Sequence, residues 1–184
     1  MAAIPADIVG FWRGAGPKKW FAKSDGFDDA IRLRFEPVHH AAARGDYAEW
    51  SDAADGALAL LLLFDQFPRN LYRGSAHAFA TDPLARAIAG TSIARDFHHR
   101  FEPALRPFFF LPFMHSEAPA DQDRSVALYE AHDVETGDLD SLKYAVMHRD
   151  IIQRFGRFPH RNRALGRDTT AEELSFLEHG GFAG

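Results

Sequence analysis

The chain contains no cysteine. A disulfide framework, a thiolate zinc centre and a cysteine nucleophile are all excluded by that one absence, which fits a reducing, cytoplasmic setting. Valine occurs only five times, beside abundant Ala, Leu and Phe. So few β-branched residues among so many good helix formers favours helix over strand. No segment shows sustained period-two alternation closed by a hairpin turn. Long apolar runs are missing too: residues 57–64 and 107–114 fall far short of the ~20 residues that span a bilayer. Residues 1–7 lack the basic segment and apolar stretch of a signal peptide. The reading is an all-α chain with no membrane span.

What is present is ordinary for a globular protein. A chain of 184 residues, 46% apolar and 26% charged, has the length of one domain. Such a chain buries roughly 70% of the surface its unfolded form exposes, so it needs no metal or disulfide to hold together. The net charge of −5 argues against a general nucleic-acid binder. The charge is uneven, however. From Lys143 to Arg167 seven Lys or Arg face one acid, Asp150, a local balance of +6 that leaves −11 for the remainder.

Helix punctuation divides the chain. Pro5 opens a helix carrying Ile8, Val9, Phe11 and Trp12. The stripe Phe27, Ile31, Phe35, Val38, Ala42 predicts a helix over 24–44, ended by Gly45 and kinked or split at Pro37. A helix over 46–67 is apolar on every side from Leu58 to Phe64, hence central, and stops at Pro68. Thr81-Asp82-Pro83 starts a helix through Ala94, and further helices are predicted over 103–115, 116–130 and 138–155. Thr169-Thr170-Ala171-Glu172-Glu173 offers two capping-box registers for a closing helix. The Gly-rich tail from about residue 180 is expected to fray. Short connections make consecutive helices antiparallel neighbours, giving a single domain, 1–184, of stacked helical hairpins.

Phe64-Asp65-Gln66-Phe67-Pro68-Arg69-Asn70 is similar to Phe155-Gly156-Arg157-Phe158-Pro159-His160-Arg161-Asn162, with one inserted residue. Each closes an apolar helix, a pattern that suggests helical-repeat ancestry. Together with Leu111-Pro-Phe-Met-His-Ser-Glu117 and the residues Leu-Tyr-Arg-Gly that follow Asn70, these segments closely resemble a bacterial family catalogued as domain of unknown function 924. The resemblance covers the chain from Phe11-Trp12 to Glu173. It implies a helical fold similar to tetratricopeptide-repeat proteins, and it implies no activity.

Among residues able to carry chemistry, Asp65 lies near the end of the all-round apolar helix, where the dipole opposes its charge. Such a carboxylate needs a partner, and Arg69, Arg73 or an arginine of the second segment could supply bidentate bonds. His148 shares a helical face with Tyr144, Ile151 and Phe155, the place of a hydrogen-bonded core histidine. Capping accounts for Ser116 and Glu117 but leaves His115 without a role. No His-Glu-x-x-His occurs, and His39-His40 and His98-His99 are adjacent pairs that diverge by about 100° on a helix. Neither a metal nor a cofactor is expected.

Arg149, Arg154, Arg157, Arg161, Arg163 and Arg167 surround a helix end broken by Gly156 and Pro159. Arginine's planar fork matches carboxylate and phosphate, so the cluster either pairs with internal acids or lines an anion pocket. The acidic remainder speaks against nucleic-acid phosphates. The leading reading is a helical binding domain for an anionic small molecule or peptide carboxylate, contacted by Arg69, Asn70, Arg157, His160, Arg161 and Asn162. A hydrolase using His115 or His148 with Glu117 or Asp65 is the alternative, and a protein-interaction scaffold is a third.

Overall fold

The computed structural model describes residues 4–137 and 139–182. No strand occurs among them, so the chain is all-α as its composition predicts. They form two compact units. One comprises Met1–Arg73 and His77–Pro112, the other Gly74–Ala76 and Phe113–Gly184.

The first unit begins with α1 (Pro5–Ala15), which buries Ile8, Val9 and Trp12, and a short α2 (Pro17–Trp20). Trp20 stacks on Trp12 at 6.1 Å and donates its Nε1–H to the Trp12 carbonyl at 2.7 Å. α3 (Asp25–Ala43) follows the predicted stripe, and the Ser24 hydroxyl caps it by accepting from the Phe27 amide. It runs unbroken through Pro37. The carbonyl that Pro37 leaves unmatched belongs to Leu33, whose side chain is 85% exposed, a face where water can take over.

The predicted 46–67 helix is instead a chain of pieces. A 3-10 turn (Ala48–Asp52) is followed by extended Ala53, then α4 (Ala54–Leu61), a π-turn (Leu62–Gln66) and α5 (Phe67–Leu71). Gly56 allows the 3-10 turn to lie against α4, since a Cβ there would sit 2.1 Å from the Trp50 carbonyl oxygen. The helical path does not stop at Pro68. In the π-turn the Phe67 amide reaches back to the Leu62 carbonyl and passes over that of Leu63. Pro68 has no N–H to give Phe64. Both bypassed carbonyls are buried and both are met from elsewhere: His39 Nδ1–H donates to Leu63 O and the Thr81 hydroxyl to Phe64 O, at 2.8 and 2.7 Å. Burial outweighs the bond to Leu63 and holds His39 below its ordinary pKa, so the ring is a neutral donor.

Thr81 precedes α6 (Asp82–Ala94) as predicted, but its hydroxyl serves Phe64 rather than the helix. Beyond a 3-10 turn (Phe97–Arg100), the predicted 103–115 helix is a 3-10 segment (Pro103–Phe109) followed by a short α7 (Leu111–Met114). Pro103 fits a first turn, but Pro107 and Pro112 each remove an amide that a continuous α-helix would use. The 3-10 segment delivers Phe108, edge-on, to Trp12 and Trp20 at 5.5 and 5.1 Å. Fully burying each such ring contributes about 1.5–3 kcal/mol.

In the second unit α8 spans Pro119–Thr136, later at both ends than predicted, because Pro119 fits the first turn and Gly137 supplies a left-handed stop (φ 75°). α9 (Leu139–Phe155) packs along α8 as a helical hairpin, and the expected start at Asp138 lies outside the described residues. Gly156 (φ 69°) ends α9 before a 3-10 turn (Pro159–Arg161). α10 (Ala171–Glu178) uses the Thr170–Glu173 register of the two capping boxes. The tail is not frayed as far as Phe182. The Gly181 amide donates to Phe176 O, and Phe182 packs with Ile151, Ile152 and Phe158.

Replacing Thr81 with Val keeps its shape but leaves Phe64 O unmatched, an expected loss of about 1–3 kcal/mol. In urea denaturation Thr81→Val should lower the midpoint with an unchanged slope, and Thr81→Ser should stay near wild type. A wild-type midpoint for the valine variant would refute the role given to this hydroxyl.

Candidate functional site

Three segments of the second unit carry histidines toward one another. His115 follows α7 in a loop that is tightly held. Gln122, fully buried on α8, donates to the carbonyls of Met114 and Ser116 at 2.7 and 2.6 Å. Ser116 Oγ accepts from the Ala118 amide and donates to Asp121 at 2.6 Å. Ser116 therefore orders the loop rather than capping a helix that begins beside it, because α8 starts only at Pro119.

His148 is buried on α9 and donates its Nδ1–H to the Tyr144 carbonyl at 2.8 Å. A carbonyl can only accept, so in the neutral ring Nε2 is the basic nitrogen. The ring centre lies 6.4 Å from that of His115, 5.5 Å from Phe158 and 4.6 Å from Phe182. His160, on the 3-10 turn, stands 5.6 Å from Phe158 and 5.2 Å from Phe182. Arg161 is buried, with its guanidinium 4.6 Å above the Phe158 ring. Phe158 and Phe182 are thus flanked by the imidazoles of His148 and His160, with the Arg161 guanidinium over Phe158 and His115 beside His148. A cavity of about 340 Å³ opens beside His160, bordered by Gly74, Arg163 and Ala164.

Glu117 ties the loop to this turn, where the sequence placed it in the first turn of a helix. It accepts from the Phe158 amide at 2.9 Å and from both Arg167 nitrogens at 2.9 and 2.8 Å. Burial pushes its carboxyl up, but the bonds from Arg167 and Phe158, with the charges of Arg167 and Arg161, bring it below the ordinary value.

The other predicted site residues serve buried acids. Arg157 binds Glu173 through two nitrogens, at 2.6 and 2.9 Å, and reaches the Asp168 carbonyl at 2.7 Å. Asn162 donates to the same Glu173 at 3.2 Å, and the Thr170 amide donates to it at 2.8 Å. The Arg157 hydrogen bond, against a burial that acts upward, holds Glu173 at about 2. In the first unit Arg69 spans Asp65 at 3.2 Å and Asp82 at 3.0 Å, and Asn70 donates to Asp28 at 2.7 Å beside Arg73. Burial opposes the Arg69 charge, and the two aspartates more than offset it.

His115, His148, His160 and Arg161 are therefore brought together, with Glu117 adjoining. Arg157 and Asn162 converge on Glu173, and Asp65, Arg69 and Asn70 belong to the first unit. The sequence reading missed Phe182, which nothing in a Gly-Gly tail announces. It also missed Glu173 and Asp28 as the carboxylates that the Arg and Asn side chains hold.

The sign of the Glu173 effect is set by its depressed pKa. Its stabilisation is complete above the unfolded value of about 4.3 and is lost as pH falls toward about 2. The wild-type melting temperature should fall over that window, more steeply than that of Glu173→Gln, which starts lower at neutral pH. Parallel curves for the two proteins would show that Glu173 is not held by this network.

A family model described as bacterial protein of unknown function, DUF924, matches residues 8–181. Among solved structures the chain is similar to the protein of unknown function ATU0120 from Agrobacterium tumefaciens. The two are 50% identical, with a TM-score of 0.89 over 96% of this chain and 97% of that one. No curated protein matches the chain.

Proposed function

Since the chain belongs to the bacterial family DUF924, whose name carries no activity, we propose that it is a binding domain for an anionic small molecule or peptide carboxylate. The site is the one formed by His115, His148, His160 and Arg161. The observation that carries this reading is convergence: a helix and a 3-10 turn bring His148, His160 and Arg161 to the Phe158–Phe182 pair, and a loop sets His115 beside His148. Imidazole N–H groups and a guanidinium fork are the donors that carboxylate and phosphate oxygens take up, and the aromatic rings lower the local dielectric in which they act. Arg157, Asn162 and Arg167 support this site indirectly, by fixing α10 and the Glu117 loop around it.

One observation favours a hydrolytic variant of the same reading. Tyr144 O sets the tautomer of His148 so that Nε2 is its basic nitrogen, on a ring whose centre is 6.4 Å from that of His115. The α8–α9 hairpin supports a tetratricopeptide-like description of the second unit, and the lack of cysteine supports a cytoplasmic setting.

Histidine NMR signals followed during titration with inorganic phosphate and with citrate test the proposal. Saturable shifts of His115, His148 and His160 are expected, with binding weakened about tenfold or more in His160→Gln, the loss of one charge-assisted hydrogen bond. Signals unmoved by either anion, or shifts unaffected by His160→Gln and His115→Gln, would refute it.

A further inference from the structure

Outside that site, in the first unit, the turn after α6 carries a second set of ligating side chains. We propose that Asp96, His98 and His99 form a site for one first-row divalent cation of the zinc class. One donor atom from each of the three lies within 4.8 Å of the others. Two imidazoles and a carboxylate suit zinc, cobalt or nickel, and three protein ligands leave a position open to water or a further ligand.

The local backbone makes this possible. Adjacent histidines diverge on an α-helix, but His98 and His99 lie on a 3-10 turn and their ring centres are only 4.0 Å apart. Backbone bonds from Asp96 N to Ile93 O, His99 N to Asp96 O and Phe101 N to His98 O, at 3.0, 3.3 and 3.2 Å, hold the turn. His98 is buried against Phe110 and Phe109, at 5.5 and 6.4 Å, which fixes one ligand in an apolar shell. Asp96 and His99 are exposed, so a cation has access. Zinc–nitrogen distances of about 2.0–2.1 Å bring such donors to roughly 3.4 Å from one another. On binding, the exposed side chains of Asp96 and His99 would move toward the buried His98.

Asp96 itself is the second argument. It is the non-glycine residue with positive φ among those described (φ 54°, ψ 28°), and it follows the last residues of α6. Glycine or asparagine is favoured at such a helix end, and a negative charge there opposes the helix dipole. Asparagine would serve this conformation equally well without the charge, so it is the charge of Asp96 at the helix end that is disfavoured. A bound cation offsets that charge directly, and a carboxylate oxygen of Asp96 already lies within 4.8 Å of a ring nitrogen of each histidine.

The test uses the full chain after treatment with EDTA. Zn²⁺ binding is followed by calorimetry and Co²⁺ binding by visible absorption, together with the rise in melting temperature. One equivalent is expected, with imidazole-type Co²⁺ bands. Affinity should fall on the order of 100-fold in His99→Ala and similarly in Asp96→Gly. The metal-free Asp96→Gly protein should melt at or above wild type, because glycine relieves the turn, which separates loss of a ligand from loss of the fold. Three results would overturn the proposal: no saturable binding, binding undiminished in both variants, or binding abolished instead by His115→Gln or His148→Gln.

Discussion

A carboxylate withdrawn from water must be met by a cation and by hydrogen-bond donors for its remaining lone pairs, and that requirement organises both units. Asp28 is met by Arg73 and Asn70, Asp65 and Asp82 by Arg69, Glu117 by Arg167 and the Phe158 amide, and Glu173 by Arg157, Asn162 and its own capping box. Removing one member of a buried pair typically costs about 3–5 kcal/mol, since the survivor is left charged and unmatched. The motif residues near Asp65–Asn70 and Arg157–Asn162 are explained largely in these terms. They join distant stretches of chain: Asp28 to Arg73 across α3 and α5, Glu117 to Arg167 across the whole α8–α9 hairpin.

The two similar Phe-Pro segments show how one device is used twice with different outcomes. In each, the asparagine donates to a carboxylate in or near the first turn of another helix, Asn70 to Asp28 of α3 and Asn162 to Glu173 of α10. The helices leading into them diverge. Gly156 takes a left-handed conformation and ends α9, so Phe158-Pro159 begins a new turn. Asp65-Gln66 instead lies in a π-turn, and the helical path continues through Pro68. The difference traces to a single inserted residue and to the side chains available to take up unmatched carbonyls.

Much of the fold was legible because its signals are local. Pro5, Ser24, Thr81-Asp82-Pro83 and Thr170–Glu173 mark helix starts through the backbone groups beside them, and α1, α3, α6 and α10 follow. Pro68 misled because the remedy for its missing amide lies far away, in Thr81, as does that for the π-turn's bypassed Leu63 carbonyl, in His39. Within the predicted 103–115 helix, Pro107 and Pro112 each remove an interior amide, and the segment from Pro103 tightens to 3-10 geometry. The site was legible as residue types: His115, His148, His160 and Arg161 were all singled out. Their meeting point was not, because it depends on Phe182 folding back over a Gly-Gly turn that composition reads as loose.

The division of labour follows from the difference between the two cationic side-chain types. Arginine is permanently charged, and its fork suits a fixed carboxylate, so it is the economical partner for an internal acid. Histidine changes charge near neutrality and gives a buried acid no dependable countercharge. Arg69, Arg73, Arg157 and Arg167 are accordingly each paired with an internal acid. In the candidate site His148 and His160 lie against Phe158 and Phe182, with the Arg161 guanidinium over Phe158 and His115 beside His148. The two proposed sites differ in the chemistry of their donors: those around Phe158 are cationic or protonatable and suit an anion, whereas the Asp96 turn sets imidazoles beside a carboxylate and suits a cation.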